Sequence, residues 1–422
     1  MIGFHYFSDM QHYRQQDLAR WLPRLRALRA RWLVLLAPAS RAIPETFIKT
    51  LLDAEIQPVL HFHLQPEKLP TKADLEPLFR VYRRWGVRHA ALFDRPNQLA
   101  TWQAANWVQA DLVERFLDLY LPLATLSLNT GLTPILPPLE PGGDYWDTAF
   151  LRRTLEGIWR RGHNTLLERM ILGGYAQPAD RPLQWGAGGP ERWPSARPYF
   201  TSPGAEDQRG FRIFDWYAAI SQAVLGKSLP MFLFGLGYQA GVDEYAQKNL
   251  LIYRLMNGES IPEVEAIHPQ VIGGAFAPLV APDSAPDSVE GWFKPDGAYQ
   301  PQAESVLQWI GEPPAKTEQF QASARVIRHY LLLPAYEWGI SDYHLDLIRP
   351  IVKEHQPTIG FSIEEAQTAR RVTVVGGERD FPEQRLNQLR AAGIFVERLQ
   401  VDGAHGIDIA PSDSEPNSQP EN

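Results

Sequence analysis

The sequence contains no cysteine, and this absence excludes several kinds of chemistry together. Without thiols there are no disulfides, no cysteine nucleophile and no cysteine-ligated zinc or iron–sulfur centre. No apolar run reaches the roughly 18 residues that span a bilayer. No lysine-rich stripe stands out, and the formal net charge is −8. We therefore expect neither a nucleic acid nor a membrane as partner.

The composition is that of an ordinary folded protein. Its 422 residues are 44% hydrophobic and 21% charged, which suffices for a large core. The first residues, 1–5, begin a strand pattern rather than a basic and then apolar leader. The chain is therefore expected in the cytoplasm, or outside the cell if a leader has been removed. The composition gives no indication of the oligomeric state.

Hydrophobic periodicity alternates between strand and helix. Short apolar runs that end in polar or glycine-rich turns predict strands at 2–8, 32–37, 57–63, 89–93, 132–137, 168–173, 230–234 and 271–279. Segments with helical spacing lie between them, at 18–29, 46–54, 75–85, 107–120, 150–161, 211–223 and 244–256. Eight such units predict a (β/α)8 TIM barrel, with a doubly wound open sheet as the alternative.

The last quarter of the chain changes character. The barrel domain is predicted for residues 1–312, and a proline-rich hinge at 311–314 follows it. Alternating strands and helices then predict a small α/β domain over residues 316–402. The tail, 403–422, ends in a stretch rich in serine, proline, glutamate and asparagine, and we expect it to be disordered.

Residues just after each strand are the site candidates, because a TIM barrel places its active site at the carboxyl ends of its strands. Aromatic and polar groups are mixed there, which suits a sugar: its C–H faces stack on rings and its hydroxyls bind polar groups. The predicted carbohydrate-binding residues are Tyr6, His61, His63, Arg95, Asn97, Trp146, Tyr175, Trp185 and Tyr238. Asp9, Asp94 and Asp283 are the candidate catalytic carboxylates. An ion pair between Asp94 and Arg95 is the alternative role for those two.

The stretch 176–210 has many prolines and large aromatic residues but little periodicity. A loop of this length in a compact domain is usually functional or disordered, and its aromatic content favours function. We predict a lid or binding wall at the barrel mouth. The alternative is an ordered loop that covers the outer helices.

His61 and His63 lie two residues apart, so both face the same side of the third strand. They could bind a metal together with Asp9 or Asp94, but two histidines alone do not predict a metal site. Hydrogen bonds to sugar hydroxyls or to barrel neighbours are the favoured interpretation. Gly376-Gly377 lacks the rest of a glycine-rich nucleotide fingerprint. We therefore predict no metal and no cofactor.

Three motifs stand at corresponding strand ends: Asp94-Arg95-Pro96 after the fourth, Phe234-Gly235-Leu236-Gly237-Tyr238 at the seventh, and Gly291-Trp292-Phe293-Lys294-Pro295-Asp296-Gly297 after the eighth. Their order resembles the clan A glycoside hydrolases over roughly the first 310 residues. In that clan an Asn-Glu-Pro motif carries the acid/base and a second glutamate at the seventh strand is the nucleophile. The resemblance implies a sugar-binding barrel and adds Trp292 to its ligand-binding residues.

Both glutamates of that pattern are missing here. Arg95 matches the acid/base, and only Phe234 and Gly235 stand at the nucleophile position. Hydrolysis needs one protonated and one ionised carboxyl, and a guanidinium cannot deliver a proton. We therefore predict a carbohydrate-binding, glycoside hydrolase-like protein that does not hydrolyse its ligand. The alternatives are a hydrolase with relocated carboxylates, such as Glu140 or Asp144 at the mouth, and a non-enzymatic scaffold or interaction protein.

A weaker resemblance concerns the small domain. An apolar strand, a Gly-Gly turn, a helix and a second strand follow one another at 374–377, Leu386, Leu389, Gly393 and 396–399. This order is similar to the cell-wall-binding repeats of bacterial surface proteins.

Overall fold

The computed structural model describes residues 1–102, 107, 110–239, 241–242, 244–280, 291–311, 327–334, 342–355 and 357–399. The chain divides into two compact units, Met1–Thr317 and Glu318–Asn422. The predicted boundary at 312–316 and the predicted disordered tail, 403–422, lie outside the described residues and stay predictions.

The first unit is a closed barrel of eight parallel strands. They are β1 (Ile2–His5), β2 (Trp32–Leu36), β3 (Gln57–Phe62), β4 (His89–Leu92), β5 (Thr133–Leu139), β6 (Ile171–Tyr175), β7 (Met231–Leu236) and β8 (Val271–Phe276). Each strand pairs with the next, and β8 closes the barrel on β1 through Gly3↔Ala275 and Phe4↔Phe276. The closure confirms the predicted (β/α)8 TIM barrel, and the open sheet was wrong.

Helices connect the strands. They are α1 (Gln15–Ala27), α2 (Glu45–Asp53), α3 (Lys72–Trp85), α4 (Leu112–Asn129), α5 (Asp147–Arg160), α6 (Asn164–Arg169), α7 (Gly189–Arg192), α8 (Ile213–Leu225), α9 (Tyr245–Met256) and α10 (Pro301–Ile310), with a 3-10 turn at Leu99–Thr101. The ends of α3 follow from its sequence: Thr71 and Asp74 form a capping box at its start, and Gly86 ends it at φ 106°. Among the helices that the structure describes, none is long and apolar enough to cross a membrane.

Side chains alternate between the inside and the outside of the barrel, as the period of a strand requires. The interior layer is small and aliphatic on most strands, with Val34, Val59, Ala91, Ile135 and Ala275. Trp32 also points inward, and the glycines at positions 3 and 273 leave room for it. A Cβ atom on Gly3 or Gly273 would lie only 2.5 Å from the Trp32 side chain. The outward side chains pack against the helices in a larger shell. Because side chains fill the barrel interior, a ligand could reach inward-facing residues only at the carboxyl ends of the strands.

The second unit is a parallel sheet of four strands in the order β10-β9-β11-β12. Its elements are β9 (Ile327–Leu332), α11 (Asp342–His355), β10 (Thr358–Gly360), α12 (Ile363–Ala366), β11 (Ala369–Val374), α13 (Glu383–Ala391) and β12 (Phe395–Arg398). Tyr330 and Leu332 pack on one face of the sheet, and Leu331 and Leu333 on the other. Both faces are therefore covered, which confirms the predicted small α/β fold.

Candidate functional site at the barrel mouth

Polar side chains from five strand ends meet at the carboxyl end of the barrel. We call this group the mouth cluster, and it consists of His5, His61, His63, Asp94, Arg95, Glu140 and Tyr175. Phe234 of β7 lies beneath it, with ring centres 5.7 Å from His5, 5.2 Å from His61 and 6.2 Å from Tyr175. An aromatic ring thus forms the floor where the resemblance to clan A expects a carboxylate.

Asp94 is the central carboxylate of the cluster. Its Oδ1 accepts a hydrogen bond of 2.7 Å from the Tyr175 hydroxyl, and its Oδ2 accepts one of 2.8 Å from Arg95. Burial alone would raise the pKa of Asp94, but the nearby His61 imidazole, the charge of Arg95 and the tyrosine hydrogen bond together outweigh it, so the pKa lies below its ordinary value. Asp94 is therefore ionised at neutral pH and cannot act as a general acid.

Arg95 holds two carboxylates at once. Its Nη1 contacts Asp94 at 2.8 Å, and its Nε donates to Glu140 Oε2 at 2.6 Å. The guanidinium also lies over the Tyr175 ring, 3.9 Å from its centre. The predicted Asp94–Arg95 ion pair is thus present, and Glu140 extends it to β5.

The backbone on both sides of Asp94 is strained. Phe93 and Arg95 have φ angles of 72° and 43°, in the left-handed region that costs an ordinary residue about 1–2 kcal/mol. Hydrogen bonds hold the turn: Phe93 N–H donates to Phe62 O at 2.8 Å, and Arg95 N–H donates to Pro138 O at 3.1 Å. Such strain persists where the surrounding structure fixes it, commonly at functional sites.

The three histidines of the cluster are neutral, and their hydrogen bonds assign their protons. His61 Nε2–H donates to Phe93 O at 2.9 Å, so its Nδ1 accepts from His63 Nε2–H at 3.2 Å. His5 Nε2 accepts from Gly235 N–H at 3.1 Å. Burial lowers the pKa of His5 and of His61 to about 3, and it also lowers that of His63. Their contribution to the mouth is hydrogen bonding without charge.

Comparisons with solved structures give remote matches. No family model and no curated protein matches the sequence. Among solved structures, the chain is similar to a thermostable mutant of a xylanase from Cellvibrio japonicus, at 10% identity and a TM-score of 0.44, over 73% of this chain and 96% of that one. It is also similar to a psychrophilic family 10 endo-β-1,4-xylanase (8% identity, TM-score 0.41, 73% and 95% covered) and to an L-ribulose 3-epimerase (12%, 0.40, 74% and 93%). Scores this low say nothing about activity.

Asn97 lies behind the mouth and has a positioning role. It is fully buried, and its amide donates to the carbonyls of Glu140 and Tyr145 at 2.8 and 2.9 Å. Its Oδ1 accepts from the Glu140 N–H at 2.9 Å. Both polar atoms of this side chain thus hold the connection after β5 in place, and its predicted contact with a ligand stays a prediction.

The long loop between β6 and α8 is ordered around one buried carboxylate. Asp207 accepts hydrogen bonds from Arg181, Trp185, Thr201 and Arg209. Burial would raise its pKa, but these hydrogen bonds lower it to about 2. Nothing in the sequence distinguishes Asp207 from other loop acids, because its partners become neighbours only when the loop folds back on itself.

This loop contacts the connections after β5 and β7. Tyr199 OH accepts from Trp146 N–H at 2.9 Å, and Tyr238 OH donates to Arg181 O at 2.7 Å. Trp146 and Tyr238 are 5% and 6% exposed, and an arginine covers the half-buried ring of Trp185. These three residues build the wall of the mouth and do not offer open faces for stacking. On this loop the rings of Tyr199 and Phe200 are exposed instead, each 58% exposed.

Two predicted ligand-binding residues lie away from the mouth. Tyr6 is 1% exposed and packs against Tyr13 and Phe47. Trp292 is 2% exposed and packs against Phe4 and Phe276. Both lie in the shell between barrel and helices, and the predicted contact of each with a ligand stays a prediction.

The other candidate carboxylates do not join the cluster. Asp9 accepts from Gln11 N–H at 2.8 Å and contacts His12 Nδ1 at 2.9 Å within its own loop. Asp144 accepts from Leu99 N–H at 2.8 Å and is exposed. Asp283 lies outside the described residues. Among the described residues, Asp94 and Glu140 are thus the two acids that meet at the barrel mouth.

Sequence reasoning missed Asp147, a fully buried acid at the start of α5. Its Oδ1 accepts from Gly142 N–H at 2.9 Å and from Gln208 at 2.6 Å, and its Oδ2 accepts from Tyr217 OH at 3.0 Å. Burial raises its pKa to about 6, although these hydrogen bonds oppose the shift. An acid in the first turn is an ordinary helix-start signal, which says nothing about burial.

A groove on the outer surface beside α4 is a separate feature. It has a volume of about 450 Å³ and is lined by Leu117, Leu121 and Leu126, among others. Its charged residues Asp118 and Arg161 already pair with each other at 2.7 Å. The mouth cluster has the converging titratable groups and is the candidate site.

Proposed function

We propose that the mouth of this barrel binds a carbohydrate and does not hydrolyse it. The observation that carries the proposal is the position of Arg95, which contacts Asp94 at 2.8 Å and Glu140 at 2.6 Å. The two acids that meet at the mouth share one cation. Glycoside hydrolysis instead needs one carboxyl that keeps its proton near neutral pH.

Two features support sugar binding. Carboxylates, a guanidinium and neutral histidines surround the Phe234 floor, and such groups accept and donate hydrogen bonds to hydroxyls. The exposed rings of Tyr199 and Phe200 lie on the loop that contacts Trp146, and flat aromatic faces suit the C–H surface of a pyranose. The mouth cluster would orient the hydroxyls, and the two rings would hold the sugar face.

The test measures binding and bond cleavage on the same panel of plant and bacterial polysaccharides. Calorimetry should detect binding of one or more soluble glycans to the wild type, and the wild type should release no reducing ends from them. Glu140→Gln should weaken binding about 10- to 100-fold, because a hydrogen bond to a charged group contributes about 1.5–3 kcal/mol. The matched control is Glu76→Gln, which also removes an arginine-paired glutamate (2.6 Å from Arg80), but at the outer surface of α3. Its affinity should equal that of the wild type.

Two outcomes would overturn the proposal. Reducing ends released by the wild type but not by Asp94→Asn would identify a hydrolase with relocated carboxylates. Failure of every glycan to bind would favour the scaffold or interaction role, which needs no sugar affinity.

A further inference from the structure

We infer that His61, His63 and Asp94 form a binding site for a divalent transition metal of the zinc class. These three residues, from β3 and the turn after β4, present one ligand atom each within 4.8 Å of one another. The inference goes beyond the proposed sugar binding and does not depend on it.

The spacing of the two imidazoles fits a metal. His61 Nδ1 and His63 Nε2 are 3.2 Å apart. Two nitrogens bound to a tetrahedral zinc ion, each at about 2.0–2.1 Å, are separated by about 3.3–3.4 Å. The ion would replace the hydrogen that the two nitrogens share, and His63 would carry its proton on Nδ1 instead. The rings would not have to move far.

The surrounding hydrogen bonds orient the ligands as metal sites require. His61 Nε2–H is held by Phe93 O at 2.9 Å, which directs its Nδ1 lone pair towards His63. Asp94 is held by Tyr175 and Arg95 at 2.7 and 2.8 Å. Such outer contacts fix the tautomer and the ring orientation of metal-binding residues.

Charge and access also permit a cation. Asp94 and Glu140 together with Arg95 leave one net negative charge in the cluster. Arg95 and Tyr175 each donate one hydrogen bond to Asp94, to Oδ2 and Oδ1, which leaves a second lone pair on each oxygen. Oδ1 lies 3.8 Å from His61 Nε2. His63 is exposed, so an ion can enter from the mouth. Two imidazoles and one carboxylate suit zinc, and three protein ligands leave a fourth position for water.

The experiment titrates the full, untagged, chelator-treated chain with ZnCl2 in a calorimeter and with Co²⁺ as an optical probe of tetrahedral coordination. His63→Ala and Asp94→Asn are the test variants, because both residues are more exposed than His61 and are less critical for folding. His12→Ala is the matched control, since His12 also contacts a carboxylate, Asp9, at 2.9 Å, but has no second histidine beside it. Thermal unfolding without metal checks that each variant is folded.

We expect one high-affinity ion per chain in the wild type and in His12→Ala. Removal of an outer-shell partner usually lowers metal affinity about 10- to 100-fold. His63→Ala removes a ligand itself, so its affinity for zinc should fall by more than this. Absence of wild-type binding would overturn the inference, and so would equal binding by His63→Ala, which would place the ion on other histidines. Glycan titrations in the presence of chelator separate this result from the proposed sugar binding.

Discussion

Asp147→Asn isolates the energetic effect of burying a charged group behind the mouth. The carboxylate has no exposed surface, and its three partners come from the β5–α5 connection, the long loop and α8. An asparagine has the same shape. Its Oδ1 can accept from Gly142 and Gln208 as before, and its amide can donate to Tyr217 once that hydroxyl rotates. The substitution therefore removes the charge and keeps the contacts.

The magnitude follows from the pKa. Burial raises the pKa of Asp147 from 3.8 to about 6, which corresponds to about 3 kcal/mol at about 1.4 kcal/mol per pH unit. Since the folded-state pKa is the higher one, the folded protein binds the proton first as the pH falls. The stability contributed by the neutral acid is fully present below pH 3.8 and is lost as the pH rises through about 6. The variant should exceed the wild type by about 3 kcal/mol at pH 7.5 and by about 1 kcal/mol at pH 4.5.

Urea unfolding at a series of pH values measures this difference. Tryptophan fluorescence reports on the barrel, because twelve of the thirteen tryptophans lie in Met1–Thr317. Other titrating groups contribute equally to both proteins, so they cancel in the difference. Asp53→Asn, at an exposed position of α2, removes the same charge and should stay within about 0.5 kcal/mol of the wild type at every pH.

A pH-independent difference between Asp147→Asn and the wild type would refute the reasoning, since it would show that the buried side chain does not titrate in this range. A variant that is less stable at pH 7.5 than at pH 4.5, relative to the wild type, would refute its sign.

Two further substitutions test the long loop and a strained helix end. Asp207→Asn should destabilise the barrel by about 2–4 kcal/mol, because it leaves two arginines without their buried partner. Since the pKa of Asp207 is about 2, its contribution is lost only as the pH falls from 3.8 through 2, and the loss in urea unfolding should be constant between pH 5 and 8. Arg29→Gly should stabilise the folded protein by about 0.5–1 kcal/mol. Arg29 has a φ of 47°, a left-handed conformation that is strained for arginine but not for glycine. The relief of this strain should exceed the larger chain entropy that glycine loses on folding. A lower melting temperature for Arg29→Gly would contradict this.

Periodicity was sufficient to predict the barrel, because each strand and helix has a hydrophobic pattern of its own. The same local rule places His61 and His63 on one side of β3, and the structure has them in contact at 3.2 Å. The rule also excludes Tyr6 from the mouth, since neighbouring residues on β1 face opposite sides and His5 points inward. Tyr6 was predicted as a ligand-binding residue from its position near the end of the first strand, without regard to the side of the strand that it faces.

Contacts between distant parts of the chain could not be predicted in this way. Asp147 and Gln208 are 61 residues apart, and Arg95 and Glu140 are 45 apart. Each pair meets only because two connections lie side by side at one end of the barrel. The sequence places the carboxyl ends of the strands together, but it does not tell which of the many loop side chains turn towards each other.

Both the backbone and the side chain of Arg95 are held by hydrogen bonds to β5 and to the residue after it. β5 supplies the backbone acceptor for Arg95 N–H, at Pro138 O, and Glu140 directly after β5 supplies the carboxylate for its side chain. A glutamate at position 95 would face Asp94 and Glu140 with like charge, and the carboxylates would repel one another. Placing an acid at this position would therefore disrupt the turn, because both neighbouring acids are arranged around a positive charge. This dependence on the cation supports a mouth built for binding, in which Arg95 holds the two acids in place.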